Sequence, residues 1–164
     1  MNVLKTRDRA EIPSYATTGS ACFDVQACLE DGERIKAYDA WNKQVPILVK
    51  NGKIVIQPMQ RVLIPTGLIF DIPVNHVMEM FIRSSVATKR GLTLVNSIGI
   101  IDSDYVDETH IIVHNISDSL VHVHDGDRLA QCRLVSVTQQ EMKETKKKPG
   151  IKTDRKGGIG STGK

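Results

Sequence analysis

Between Arg83 and Asp107 the chain reads RSSVATKRGLTLVNSIGIIDSDYVD. Apolar residues flank a turn-prone Asn96-Ser97 pair: Leu92, Leu94 and Val95 precede it, and Ile98, Ile100 and Ile101 follow, with Gly99 among them. This pattern predicts two strands folded as the arms of a hairpin. The same 25 positions hold a cation at Arg83, hydroxyls at Ser84 and Ser85, an amide at Asn96, carboxylates at Asp102 and Asp104, and the aromatic Tyr105. Such a concentration of chemistry points to a functional site as well as to a fold.

Outward from this unit, the chain is a series of short apolar runs. Residues 2 to 5, Ala21 to Ala27, His76 to Ile82, His110 to Asn115, Leu120 to His124 and Leu129 to Val137 are strand candidates, most of them with period-2 alternation. Pro65-Thr66-Gly67 divides Val62 to Ile72 into two strands, and Asp125-Gly126-Asp127 turns the chain into the last one. Asn51-Gly52 lies between VPILVK and KIVIQ and predicts a β-hairpin at about 45 to 57. Many short strands with little helical periodicity predict an all-β fold, a sandwich or jelly roll. Lys143 to Lys152, KETKKKPGIK, has no apolar period and is expected to be a flexible linker. The following RKGGIGSTGK cannot build a core, but its residues suit anion binding. The expected organisation is a β core over 1–142 and a basic linker and arm over 143–164.

Composition narrows the function. The chain of 164 residues, 40% hydrophobic, is enough for one domain at roughly 100–200 residues per domain. A net charge of +3 is mildly basic, yet only 4% of residues are aromatic and no basic-aromatic interleaving occurs, so a nucleic-acid partner is not indicated. Cys22, Cys28 and Cys132 are odd in number and lack CxxC spacing, which fits reduced thiols in an intracellular compartment. Charges in MNVLKTRDRAEIP interrupt what would be the core of a signal peptide, and no segment approaches the ~18 apolar residues of a membrane span. A soluble, cytoplasmic protein is expected.

Five short motifs in order now identify a resemblance. RSSVATKRGL and GIIDSDYVDE are similar to the second and third motifs of the trimeric deoxyuridine triphosphatases (dUTPases). ATTGSACFDVQA at 16 to 27, GDRLAQ at 126 to 131 and RKGGIGSTGK at 155 to 164 resemble the first, fourth and fifth. The resemblance implies a distorted jelly roll with one short helix near Ser85 to Lys89. It also marks Asp31 to Gln57, with the only tryptophan, Trp41, as an insertion; plain decoration is expected, with partner binding or trimer buttressing as alternatives.

The resemblance further implies hydrolysis of dUTP to dUMP and pyrophosphate, by water attack on the α-phosphorus with Mg²⁺ bridging the phosphates. Such a reaction limits dUTP and supplies dUMP for thymidylate synthesis. Asp102 matches the catalytic carboxylate that orients the water and takes its proton. Tyr105 matches the aromatic under the deoxyribose, and Asn96 with the turn backbone around Gly99 matches the reader of the uracil edge. Ser84, Ser85 and Gln131 match phosphate-holding groups, and Arg83 a bracing arginine. Asp24 matches an outer-shell aspartate that supports the metal through water. Arg155, Gly160, Ser161 and Thr162 match a γ-phosphate clamp. Ile159 stands where a phenylalanine normally caps the base. Two further departures are Asp107, where glycine is usual, and Ser85, where glycine is commoner. A homotrimer with shared sites is expected, since the family builds each pocket from three chains.

Other readings compete. His122 with His124, and His110 with His114, share strand faces and would suit zinc, but a catalytic zinc normally takes three protein ligands and no third is marked. The related dCTP deaminases need a glutamate on the strand after the IDxxY-like segment, and His110-Ile111-Ile112-Val113-His114 has no carboxylate. A non-catalytic or regulatory nucleotide-binding protein on the same scaffold would be favoured by the insertion and the departures. Asp102, Tyr105, Gln131 and Arg155 weigh against it.

Overall fold

A computed structural model of the chain describes residues 1–154. Two four-stranded antiparallel sheets share one core. The first runs in the order β10 (Leu92–Leu94), β12 (His110–Asn115), β7 (Arg61–Pro65) and β4 (Ala37–Tyr38). The second runs β11 (Gly99–Asp102), β9 (His76–Ile82), β14 (Arg128–Ser136) and β2 (Phe23–Gln26). Two-stranded ribbons complete the fold: β1 (Asn2–Lys5) with β8 (Leu68–Asp71), β13 (Val121–His124) with β6 (Lys53–Ile56), and β3 (Arg34–Ile35) with β5 (Ile47–Leu48). This is the expected all-β sandwich.

The alternation seen in the sequence is the inside-outside alternation of the strands. In β12, Ile111 and Val113 are fully buried between half-buried neighbours, and in β2 Phe23 and Val25 point inward while Asp24 and Gln26 do not. Inward residues of both sheets, including Val62, Ile64, Met78, Met80, Leu92 and Cys132, form one cluster.

Two predicted hairpins turn out differently. Asn51 and Gly52 do form a tight turn, with φ of 53° and 64° and the Lys50–Lys53 pair closing it. Beyond that pair the arms part, because β5 pairs with β3 while β6 pairs with β13. Likewise β10 and β11 do not pair with each other: β10 joins β12 in one sheet, and β11 joins β9 in the other. Residues 95 to 98 are therefore the corner where the chain crosses between the two layers. Local turn chemistry fixes a turn, but long-range pairing chooses each arm's neighbour.

The segment from 31 to 57 is not decoration. Ile35, Val49, Ile54 and Ile56 are fully buried in the common core, and β4 extends a main sheet along β7. Each such side chain contributes about 1.5–3 kcal/mol of burial.

The single helix among the described residues, α1 (Ser84–Arg90), buries Val86 and carries Lys89 and Arg90 in its last turn. Gly91 ends it at φ 63°, in the left-handed region. A Cβ there would lie 2.8 Å from the Ser117 Cβ. Gly91→Ala combines that clash with the ~1–2 kcal/mol cost of a left-handed L-residue. The urea midpoint of the variant should fall accordingly; an unchanged midpoint would contradict this helix end.

Candidate active site

The motif residues gather in two clefts, and the strand pairing explains both. β14 lies between β9 and β2, so Gln131 is flanked by Phe81 on one side and Asp24 on the other. β9 ends where Arg83 donates its backbone N–H to the Leu129 carbonyl (3.0 Å), which sets α1 and its serines beside the same strand. Asp24, Arg83, Ser84, Ser85 and Gln131 thus line one cleft of about 570 Å³, closed along its rim by residues 11 to 14.

This cleft is polar and carries paired charges. Asp24 Oδ1 lies 3.2 Å from Arg83 Nε and Oδ2 lies 3.3 Å from Arg128 Nη1, so both carboxylate oxygens are engaged. Arg83 also donates through Nη1 to the Arg128 carbonyl at 3.0 Å. Asp24 and Glu11 balance the two guanidiniums in formal charge, and both oxygens of Asp24 are taken up by the arginines, beside the neutral hydrogen-bonding side chains of Ser84, Ser85 and Gln131. Arg128 was not singled out by the sequence reading, although it sits inside GDRLAQ. Its role needs the sheet register that places it beside Asp24.

The second cleft, about 270 Å³, is mostly apolar and contains Asn96, Gly99, Asp102 and Tyr105. Leu63, Met80, Leu94 and Ile112 contribute its walls. Gly99 pairs with Met80, and a Cβ on Gly99 would lie 3.0 Å from the Met80 Cβ, a tight contact that would push β11 or Met80 by a few tenths of an ångström. Asp102 ends β11 with an exposed carboxylate that has no hydrogen-bond or ion-pair partner among the described residues. It is a free acceptor at the edge of an apolar cleft. The Tyr105 hydroxyl donates to the Glu108 carbonyl at 3.1 Å, and burial, followed by Asp107 and Glu108, pushes its pKa up, so it remains a neutral donor.

Among the described residues the two clefts share no lining residue. The structure therefore brings together Asn96, Gly99, Asp102 and Tyr105, and separately Asp24 with Arg83, Ser84, Ser85 and Gln131. Arg155, Ile159, Gly160, Ser161 and Thr162 lie outside the described residues. Asp107 is not among the positive-φ residues, so replacing a glycine there carries no left-handed strain. Thr109 and His110 also line the second cleft, and the Thr109 hydroxyl is buried without a partner among the described residues. Nothing in the sequence pattern marks that hydroxyl. His122 and His124 are exposed on β13, and no group of three His, Cys, Asp or Glu side chains able to hold a metal occurs among the described residues.

Fold and clefts define a β-sandwich protein with a polar groove bearing two arginines and a separate apolar pocket. The dUTPase family model matches residues 48–163. A deoxyuridine 5'-triphosphate nucleotidohydrolase of Hydrogenobaculum sp. is 34% identical over 161 residues, covering 98% of this chain and 96% of the relative. The corresponding protein of Bdellovibrio bacteriovorus is 35% identical, over 94% of this chain and 89% of its own. Among solved structures, the dUTPase of Staphylococcus bacteriophage 80alpha with dUPNHPP has a TM-score of 0.75 at 19% identity, over 99% of this chain and 97% of that one. The Streptococcus mutans dUTPase has a TM-score of 0.67 at 22% identity, over 87% and 100%. The chain belongs to the dUTPase family.

The thiols offer a test of cleft geometry. Cys22 is half-exposed and lines the polar cleft, whereas Cys28 and Cys132 are buried and burial pushes both their pKa values up. Thiolate is the reactive form. Iodoacetamide on the native protein should label Cys22 first, with the other two protected until denaturant is added, as read by peptide mass spectrometry; equal labelling of all three would contradict the described core.

Proposed function

We propose that the protein hydrolyses dUTP to dUMP and pyrophosphate. The observation that carries the reading is the unpaired Asp102 carboxylate beside Tyr105 and Asn96 in an apolar pocket, on a chain of this family. Asp102 orients a water and accepts its proton as the water oxygen bonds to the α-phosphorus. The bond from that phosphorus to the bridging oxygen breaks, and the electron pair leaves with pyrophosphate. Asn96 and the turn backbone at Gly99 read the uracil edge, and Tyr105 packs under the deoxyribose and leaves no room for a 2′-hydroxyl. Ser84, Ser85 and Gln131, braced by Arg83, hold phosphate oxygens, where oriented donors stabilise developing charge. Arg155, Ser161, Thr162 and the Gly160 backbone clamp the γ-phosphate.

Mg²⁺ is the proposed metal, and a dUTPase of phage phi11 of S. aureus is described with a structural Mg(II) ion. Asp24 fits it only through water, because both its oxygens already face arginines. The metal would take its remaining ligands from phosphates and water, in keeping with the reluctance of Mg²⁺ to dehydrate. It would neutralise charge on the triphosphate.

The separation of the two clefts supports a homotrimer with shared sites: base and sugar bind on one subunit while the triphosphate lies against Asp24, Arg83 and Gln131 of another. Among the described residues, no single cavity of one chain holds both halves.

Asp102→Asn should retain nucleotide binding and lose about 10²–10⁴-fold in turnover, the usual contribution of a general base. Near-unchanged pyrophosphate release would refute the role. Ile159 offers no flat face to a base, and stacking is worth about 1–3 kcal/mol. Ile159→Phe should then tighten a non-hydrolysable dUTP analogue about 10-fold, equivalent to about 1.4 kcal/mol. Unchanged or weaker binding would mean a pocket shaped for a larger, 5-substituted base.

A further inference from the structure

Arg7 occupies an otherwise unremarked place under the 102–109 turn. Its guanidinium is largely shielded, with 14% side-chain exposure, and it forks onto Glu33 with Nη1 2.6 Å from Oε2 and Nη2 2.8 Å from Oε1. Its Nε reaches Glu108 Oε1 at 3.1 Å, and that oxygen also accepts the Gly67 N–H at 2.7 Å. The hydrogen bond to Glu33 leads in holding the Arg7 pKa above its ordinary value, with both carboxylates adding to it. Three segments distant in sequence meet at this one cation: the N-terminal stretch, the start of the 31–57 region and the turn after β11.

The other end of Glu108 faces the pocket. Its backbone carbonyl accepts the Tyr105 hydroxyl at 3.1 Å and lies 2.9 Å from His110 Nδ1, and both of these side chains line the apolar cleft with Asp102. Glu108 is thus held at its carboxylate by Arg7 and Gly67, while its carbonyl holds two pocket-lining rings. Any displacement of the carboxylate tilts the peptide that orients Tyr105. Without Arg7, Glu33 and Glu108 are two partly shielded carboxylates with no shared cation, and each moves toward water.

We propose that Arg7, through Glu108, is a positioning residue that sets the orientation of Tyr105, and that Glu33 makes this orientation depend on the 31–57 segment. The inference rests on the reading of Tyr105 as the group that excludes a 2′-hydroxyl. Its specific consequence is selectivity between deoxyribose and ribose.

The test compares kcat/KM for dUTP and UTP in the full-length protein carrying Arg7→Met, Glu33→Gln or Tyr105→Phe, and in the Arg7→Met/Tyr105→Phe double variant. Glu33→Gln is the milder probe, since it keeps the side-chain shape and Glu33 is partly exposed. Melting curves verify that each variant is folded at the assay temperature. Misplacing a reacting or packing group by about 1 Å can cost up to 10²-fold. The dUTP/UTP ratio should fall about 10-fold in Arg7→Met and less in Glu33→Gln. Arg7→Lys should recover only part of it, because lysine cannot fork. In the double variant the ratio should be no lower than in the worse single variant. A ratio unchanged in folded Arg7→Met and Glu33→Gln, with only the melting temperature lowered, would overturn the proposal and leave Arg7 as structural. Wild-type protein that fails to release pyrophosphate from dUTP would instead overturn the underlying functional reading.

Discussion

The pairing of β14 with two strands at once is the interaction on which the site depends. It places Gln131 between Phe81 and Asp24, and it accepts the Arg83 N–H at Leu129. From that point α1 begins, and its Ser84 and Ser85 open toward the same groove. A register slip by one residue would turn Gln131 into the core and bring Ala130 or Cys132 outward. The buried alternation of Ala130 and Cys132 on this strand opposes such a slip.

The second constraint is the corner at residues 95 to 98. Because β10 and β11 enter different sheets, the chain carries Asn96 and Asp102 to the apolar cleft, remote from the groove built on β14. The close approach of Gly99 to Met80 fixes that cleft's wall. The described residues therefore place Asn96, Asp102 and Tyr105 in one cleft and Asp24, Arg83 and Gln131 in another. In the proposed function, assembly of subunits makes these two halves one site.

Much of this was legible in the sequence because the signals were local. The strands at 76–82 and 110–115 appear with the expected bounds; in 110–115 burial alternates residue by residue, whereas 76–82 buries Val77, Met78 and Met80 without strict alternation. Turns at Pro65-Gly67 and Asn51-Gly52 were equally readable, because their backbone requirements belong to the residues themselves. Partner choice was not. The arms of both predicted hairpins pair elsewhere, with partners from 12 residues (Ile35 with Ile47) to 71 residues (Lys53 with His124) away in sequence. The site divides in the same way. Motif spacing pointed to Asp102, Tyr105 and Gln131, whereas Arg7, Arg128 and the Thr109 hydroxyl acquire meaning only from contacts across the fold. The core role of the 31–57 region was hidden because Ile35 sits on a two-residue strand and Val49 on none, while the alternation of Ile54 and Ile56 on β6 does not say which core they enter.

The central claim is that the Asp102 half and the Gln131 half of a working site come from different subunits. Mixing inactive Asp102→Asn protein with inactive Gln131→Ala protein, under conditions in which labelled subunits are seen to exchange, tests it directly. Hybrids would contain sites with an intact Asp102 from one chain and an intact Gln131 from its neighbour, so pyrophosphate release from dUTP should reappear as exchange proceeds. No recovered activity after complete exchange would contradict the account, as would a monomer by light scattering that is fully active on its own.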